Sequence, residues 1–236
     1  MRLLALDTAT PDTVVGLWTG EGPVTERRHA PAPGARPGHV EEALGLAREL
    51  LADAGLSFRD LDRIGVGVGP GTFTGLRIGV ASARALAQAA GAELVPVSTL
   101  QALCVGAEGG GRAVLACLDA RRGEAFVAAW RGRERLLAPA AVRPEELGAL
   151  AAALGGADGQ AGPLAAGDGA VRFREQLEPA GFEVPADGSP LHRVRADALC
   201  RLALAAEPVA REALVPEYVR APDAVPKRPA PPPQTP

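Results

Sequence analysis

Two segments of this chain repeat one pattern, and that repeat constrains the fold more than any other feature. Residues 3–19 show an apolar strand, Asp7, a turn and a second strand. Residues 113–130 show an apolar strand, Asp119, a turn and a returning strand. A helical segment and a further strand follow each hairpin along the chain. The competing architecture, one doubly wound sheet, usually lacks such initial antiparallel hairpins. The repeat therefore predicts a duplicated α/β fold.

A glycine-rich block at 65–91 joins a β-branched strand to a long apolar helix predicted over Gly75–Ala90. The turn between them is Gly69-Pro70-Gly71-Thr72. Backbone N–H groups at such a helix start can face an anion, whereas glycine also lets two backbones approach closely. No Gly-Lys-Ser/Thr follows the turn, and no window fits Gly-x-Gly-x-x-Gly, so the standard nucleotide motifs are absent. Both a phosphate cradle and a packing role stay open, and packing is favoured.

Apolar spacing places the remaining helices and the boundaries between parts of the chain. Apolar residues recur at intervals of three and four over 40–54, which predicts an amphipathic helix ended by Gly55. The polar stretch 20–38 is interpreted as a connection without regular structure. Further predicted elements are a helix through Val105, helices over 144–154 and 195–206, and strands over 61–68, 94–97 and 164–166. We expect two lobes, 1–102 and 103–220, and a disordered proline-rich tail, 221–236.

Composition excludes several classes of function. The chain has 236 residues, of which 47% are hydrophobic, and a net charge of −3, which argues against gripping nucleic acid by itself. Its three cysteines lie far apart and form no CxxC, so neither a disulfide framework nor a zinc site is expected. No apolar run has the length of a membrane span or the layout of a signal peptide. These features predict a cytoplasmic protein without membrane contact.

Six short motifs, in this order, make the sequence resemble one known family. They are LALDT at 4–8, GPGTFTGLRIGVASARALA at 69–87, VSTL at 97–100, LDARRGE at 118–124, GDG at 167–169 and PEYVR at 216–220. Together they resemble the bacterial TsaB (YeaZ) family, over residues 1–220. The resemblance implies an actin-like ATPase (ASKHA) fold of two similar lobes with mixed sheets flanked by helices. It also implies a non-catalytic subunit in the synthesis of threonylcarbamoyladenosine on tRNA.

The same resemblance implies partners. It predicts a heterodimer with the catalytic homologue TsaD, cooperation with the ATPase TsaE, and contact with tRNA only indirectly through that complex. Whether the isolated chain forms a homodimer is left open. The predicted docking surface is the pair of helices over 40–54 and 75–90, because the second is poor in charge and rich in small residues. Its predicted contact residues are His39, Leu44, Ala47, Leu51, Arg77, Val80, Ala83 and Ala87.

Catalysis and metal binding by the chain itself are not predicted. The catalytic relative carries His-x-x-x-His on a helix, whereas here His39 is followed by Ala43 at the second ligand position, and one imidazole cannot hold a metal alone. The loops after Asp7 and Asp119 lack an early glycine, which favours turn bonding by both aspartates. Weak ATP or ADP binding is left open. Its candidate residues are Asp7, Thr8, Gly69, Gly71, Thr72 and Asp119.

Two functions of other classes are alternatives to the prediction of a non-catalytic subunit. An autonomous actin-like ATPase or kinase would need working phosphate loops, which the two aspartate loops do not resemble. A peptidase would need an activated nucleophile. Gly-x-Ser-x-Gly is absent, and Ser82 lies inside the predicted helix. No catalytic residue is therefore assigned.

Overall fold

The fold consists of two mixed β-sheets with helices on their faces. It is described here from a computed structural model, for residues 1–32, 34–107, 111–155 and 162–220. The first sheet has the strand order β3-β2-β1-β4-β5 and the second the order β8-β7-β6-β9. The prediction of a disordered tail at 221–236 falls outside the described residues.

The elements of the first half are five strands and three helices. They are β1 (Leu3–Asp7), β2 (Thr13–Trp18), β3 (Thr25–His29), α1 (His39–Asp53), β4 (Arg63–Gly69), α2 (Phe73–Ala90), β5 (Glu93–Ser98) and α3 (Thr99–Ala107). Those of the second half are β6 (Val114–Asp119), β7 (Ala125–Arg131), β8 (Glu134–Val142), α4 (Pro144–Leu154), β9 (Leu164–Ala166), α5 (Asp168–Arg172), α6 (Arg174–Leu177) and α7 (Ala196–Ala205).

The two sheets share one pairing scheme, which confirms the duplicated α/β architecture. In the first sheet β1 pairs antiparallel with β2 and parallel with β4. In the second sheet β6 pairs antiparallel with β7 and parallel with β9. Each central strand is buried along almost its whole length, because helices cover both of its faces. Asp7 and Asp119 end the central strands at equivalent positions.

Two helices bind each half to the other. The helix α3 follows the first sheet in sequence but contacts β6 and β7 of the second. The helix α7 lies late in the chain but contacts β1, β2 and β4 of the first sheet. Side chains from both sheets, α3 and α7 accordingly form one central apolar cluster. Separate clusters lie under α1 and α2, and under α4 to α6. Residues 102 and 103 both lie inside α3, so the predicted lobe boundary there stays a prediction.

Two strands were missed in the sequence, and both lie at sheet edges. The strand β3 occupies part of the stretch interpreted as irregular, and β8 pairs with β7 in a region given no element. Neither shows apolar alternation. Residues 26–28 of β3 are Glu, Arg and Arg, and β8 is half-exposed over much of its length. Charged residues are typical of edge strands, where they prevent pairing with other chains, and they also remove the hydrophobic signal.

Helix boundaries agree with local sequence. The helix α2 begins at Phe73, two residues before the predicted start, because Thr72 caps it by accepting a hydrogen bond from the Gly75 amide. Gly91 ends it in the left-handed conformation. Among the described residues, no helix combines the length and apolar character that a bilayer crossing requires.

Candidate functional site

The glycine block packs against the chain's own first loop. A Cβ on Gly75 would overlap the carbonyl oxygen of Thr8, and a Cβ on Gly71 would overlap the carbonyl oxygen of Ala9. The Thr72 amide donates to that Ala9 carbonyl at 2.8 Å, and the Thr8 hydroxyl donates to the Gly75 carbonyl at 2.7 Å. Backbone therefore occupies the space where a cradled phosphate would sit. Of the two roles left open for these glycines, the geometry favours close packing.

The two loop aspartates make the same turn hydrogen bond. The carboxylate of Asp7 accepts from the Ala9 amide at 2.8 Å, and that of Asp119 accepts from the Arg121 amide at 2.8 Å. Each bond spans two residues, as in an Asx turn. Asp7 is fully buried, whereas Asp119 also pairs with Arg121 and Arg172. Both side chains thus hold their own loops, and Asp7 is out of reach of solvent.

Burial gives Asp7 an unusual proton affinity. Burial raises its pKa from 3.8 to about 6, against the opposing effects of the Thr99 hydroxyl, the Ala9 amide and the Arg28 charge. The Thr99 hydroxyl donates to Asp7 at 2.7 Å. The carboxyl group fits here only because Gly67 of the neighbouring strand has no side chain.

The raised pKa predicts a specific pH dependence of stability. The native state holds the Asp7 proton more tightly than the unfolded chain, so this contribution is fully present below pH 3.8 and is lost as the pH rises through about 6. At about 1.4 kcal/mol per pKa unit, the loss amounts to roughly 3 kcal/mol. Asp7→Asn removes the titration while keeping a polar group beside Thr99 and Ala9. The variant should exceed the parent in free energy of unfolding at pH 7.5 and approach it at pH 5.

Urea unfolding followed by circular dichroism at both pH values checks this expectation. Asp53→Asn, which removes the carboxylate charge of an exposed ion pair, serves as the control. Glu26 is less suitable, because its carboxylate accepts a hydrogen bond from across the fold. Asp53→Asn should change stability little at either pH. If the free energy of unfolding changed equally in the parent and in Asp7→Asn between pH 5 and pH 7.5, the pH dependence could not be assigned to Asp7.

Three of the candidate nucleotide-binding residues line an open cavity of about 680 Å³. Gly71, Thr72 and Asp119 lie in its wall, together with the start of α2, the turn at 119–122 and the segment 217–220. Asp7, Thr8 and Gly69 are buried away from solvent. The six residues therefore do not converge on one site, and binding of ATP or ADP stays a prediction.

The paired helices α1 and α2 lie side by side on one face of the first sheet. Their facing sides join the cluster beneath them, and α1 still exposes 58% of Val40 and 39% of Leu44. On α2, Ala81 and Ala85 are exposed and Ile78 is half-exposed. Both helices therefore expose apolar or small side chains, beside charged ones such as Arg48 and Arg77.

Comparisons with known proteins identify the family. A family model described as "TsaD: tRNA N6-adenosine threonylcarbamoyltransferase" matches residues 30–174. The structure named "YeaZ from Pseudomonas aeruginosa" superposes with a TM-score of 0.75 at 30% identity, covering 92% of this chain and 99% of that one. The chain belongs to the TsaB/YeaZ family. Two similar halves with mixed sheets flanked by helices, as the sequence motifs implied, are present in the structure.

Sequence alignments to curated TsaB proteins are shorter. The Escherichia coli protein named "tRNA threonylcarbamoyladenosine biosynthesis protein TsaB" is 36% identical over 136 residues, which cover 57% of this chain and 57% of that protein. The Bacillus subtilis protein of the same name is 28% identical over 137 residues, 58% of each chain. The chain thus spans a little over half the length of these curated relatives.

Most of the interface residues predicted for this TsaB-family chain lie in its core. Five are almost wholly buried beneath the two helices: Ala47, Leu51, Val80, Ala83 and Ala87. The correction has a simple cause, because the apolar positions that reveal an amphipathic helix are those facing its own sheet. Leu44 and Arg77 are exposed, and their role in docking stays a prediction.

His39 is also an internal residue in this member of the TsaB family. It is 4% exposed, and its Nδ1 lies 2.8 Å from the Thr13 hydroxyl. Burial, with the nearby His29, holds its pKa below the usual range, against Asp12. No group of three or more His, Cys, Asp or Glu in the described ranges is arranged to hold a metal. The absence of a metal site remains a prediction from the single imidazole.

One part of the surface was missed in the sequence analysis of this TsaB-family protein. The segment 209–220 returns to the first lobe, where Val209 bridges Leu94 and the Glu217 amide donates to the Val68 carbonyl at 2.7 Å. It brings Tyr218 against Phe73 at the start of α2. The PEYVR motif and the unusual exposed Phe73 were the available signals, but their approach depends on contacts distant in sequence.

Proposed function

We propose that this chain is a non-catalytic subunit in threonylcarbamoyladenosine synthesis on tRNA, and that it binds and activates a TsaD homologue alongside the ATPase TsaE. Membership of the TsaB/YeaZ family supports the pathway, since the Escherichia coli relative bears that name. The observation that carries the docking proposal is the apolar surface on α1 and α2. It is exposed although the same helices already cover their own sheet.

The chemistry of this surface suits another pair of helices. Ala81 and Ala85 are one turn apart on the exposed side of α2, so a partner helix can approach its backbone closely. Val40 and Leu44 are likewise one turn apart on α1 and supply larger apolar contacts. Burying these groups against a partner removes apolar area from water, which favours association. The docking residues are therefore the exposed neighbours of the buried residues that the sequence indicated.

The site geometry supports an accessory role more than catalysis. Asp7 is buried, and Asp119 is held by two arginines. A second cavity, where the first loop faces Asp168, has a volume of about 250 Å³. Small ligand sites generally occupy about 300–1,000 Å³, so this cavity is small for a nucleotide. An autonomous ATPase or kinase is the less favoured alternative because both loop aspartates are engaged in their own turns. Cavity volume alone does not decide, since the 680 Å³ cavity beside Asp119 is large enough for a nucleotide.

A charge on the apolar surface should abolish partner binding. Leu44→Glu and Ala85→Glu each place a carboxylate where the partner would desolvate it. We expect the affinity for the TsaD homologue of the same organism to fall at least about a hundredfold. Ala152→Glu, which changes an exposed alanine on α4, is the matched control. Calorimetric titration of purified proteins measures the affinities, and circular dichroism verifies that all variants stay folded.

Modification assays separate docking from catalysis. A mixture of this chain, its TsaD homologue, TsaE, tRNA, ATP and threonylcarbamoyl-adenylate should form the modified adenosine, and Ala85→Glu should reduce its yield. Unchanged affinity in both charge variants would place docking elsewhere. Formation of the modified nucleoside by this chain without TsaD would contradict the accessory role.

A further inference from the structure

An aromatic and cationic platform forms one wall of the 680 Å³ cavity. The rings of Phe73 and Tyr218 lie 5.8 Å apart at 33°, and the Arg77 guanidinium stacks 3.8 Å above the Phe73 ring. The Nε of Arg77 also lies 3.4 Å from the Tyr218 hydroxyl. Phe73 is 55% exposed and Tyr218 48% exposed. Both rings are thus held by neighbouring groups, and about half of each side chain stays open to solvent.

The cavity lining also includes two arginines in an unfavourable backbone conformation. Arg121 and Arg122, in the turn between β6 and β7, have φ values of 61° and 54°. Glycine and asparagine adopt this left-handed region most readily, and other residues there store strain that tends to mark functional sites. The Arg121 side chain is 63% exposed, so it keeps donors available beyond its pair with Asp119. Charge is retained here at a conformational cost.

The local charge differs from that of the whole chain. The cavity wall contains four arginines (Arg77, Arg121, Arg122 and Arg220) and two carboxylates (Asp119 and Glu217), although the net charge of the chain is −3. Electrostatic attraction depends on this local arrangement more than on the total. The net charge of −3 therefore does not describe this cavity wall, where arginines outnumber carboxylates.

The groove is longer than one small molecule needs. Another cavity, of about 660 Å³, adjoins the 680 Å³ cavity and shares Arg122, Val219 and Arg220 with it. The ring of Phe126 lies under the Arg220 guanidinium, which pairs with Glu124. Arginines are thus distributed along two connected cavities, with aromatic faces at one end. Arginines beside aromatic faces are the kinds of group that contact the phosphates and bases of a single-stranded nucleic acid.

We propose that this groove binds single-stranded RNA, with a base stacked on Phe73 and Tyr218 and a phosphate bound by Arg121. Stacking on aromatic side chains beside a cationic track is the general mode of single-strand recognition. Arginine stacking and bidentate phosphate contacts strengthen it. The choice of RNA over DNA as the ligand rests on the proposed function in tRNA modification. The stacking and phosphate contacts themselves follow from the groove.

Fluorescence anisotropy with a labelled single-stranded RNA decamer tests the proposal on the purified chain. Phe73→Ala and Arg121→Asn should each raise the Kd about tenfold, the first by removing the stacking face and the second by removing a phosphate contact. Asparagine tolerates the left-handed conformation, so the turn should stay folded. Arg133→Asn, with the same charge change in the turn at the other end of β7, is the matched control and should leave the Kd within twofold. Tyr218→Phe, which keeps the ring, should also bind normally.

The salt dependence of binding and competition by AMP distinguish an RNA site from a mononucleotide site. Arg121→Asn should lower the slope of log K against log salt by about 0.7, the value for one lost contact with single-stranded phosphate. AMP should compete far more weakly than the unlabelled decamer. Competition by AMP at equal molar concentration would make this a mononucleotide site and overturn the RNA assignment. Undetectable decamer binding, or equal Kd values for Arg121→Asn and the parent, would also overturn it.

Binding of the TsaD homologue to Arg121→Asn gives an independent readout. We expect it to be unchanged, because Arg121 lies in the turn between β6 and β7 and belongs to neither α1 nor α2. Failure of the docking proposal would leave RNA binding by the isolated chain intact. Failure of the RNA proposal would leave TsaD binding intact. The two proposals are therefore tested separately.

Discussion

Gly75→Ala is expected to destabilise the protein by about 3 kcal/mol or more, although alanine is normally the better helix residue. The added methyl group would overlap the carbonyl oxygen of Thr8 and crowd the Thr72 hydroxyl that caps α2. The Thr8 hydroxyl donates to the Gly75 carbonyl, and the Thr72 hydroxyl accepts from the Gly75 amide, so moving either residue away would break a hydrogen bond. Thermal unfolding should show a melting temperature lower by roughly 6 °C or more.

Gly45→Ala is the matched control for this prediction. Gly45 lies within α1, and a methyl group there would meet no atom within 4 Å. The substitution should raise the free energy of unfolding by about 0.5–1 kcal/mol through helix propensity alone. Opposite signs at the two positions would demonstrate close backbone packing in the glycine block. Equal stabilisation at both would show that the block is open, as a phosphate cradle requires.

The sequence predicted the elements whose signals are local. Apolar runs broken by turn residues predict the helix α2, the two hairpins and their duplication. The first strands of these hairpins end at Asp7 and Asp119. The packing of α3 on the second sheet and of α7 on the first was not predictable in this way. Both helices are apolar on most sides, and their periodicity does not indicate which sheet each one contacts. Their placement depends on contacts such as Gly16 with Ala196, which are distant in sequence.

The candidate surfaces show the same division. That the helix pair is the docking surface stays a prediction. Most of the residues that the sequence named there lie on the buried side of the pair, because hydrophobic periodicity reports the side facing the sheet. Exposed residues with apolar side chains, such as Val40 and Leu44, carry no distinguishing pattern of their own. The sequence named Gly71, Thr72 and Asp119, which line the groove beside Phe73. Its aromatic and cationic character was missed, because its walls come from three segments and its charge contrasts with that of the whole chain.

Ala83→Glu is expected to prevent folding, not merely partner binding. Ala83 has no solvent exposure and packs in the cluster beneath α1 and α2. A carboxylate there would be too large for the space and would lose its hydration without a compensating partner. A cost above about 4 kcal/mol is consistent with buried unpaired charge and is a large part of the stability of a typical protein. Circular dichroism and the soluble yield of the purified variant measure the effect.

Ala85→Glu makes the same chemical change two residues later on the same helix, at an exposed position. It should fold with a melting temperature close to that of the parent and lose only TsaD binding. The pair therefore separates the inward side of α2 from its outward side. A well-folded Ala83→Glu that had lost TsaD binding would mean that the small-residue side of α2 faces the partner, and the docking surface drawn from Val40, Leu44, Ala81 and Ala85 would be wrong.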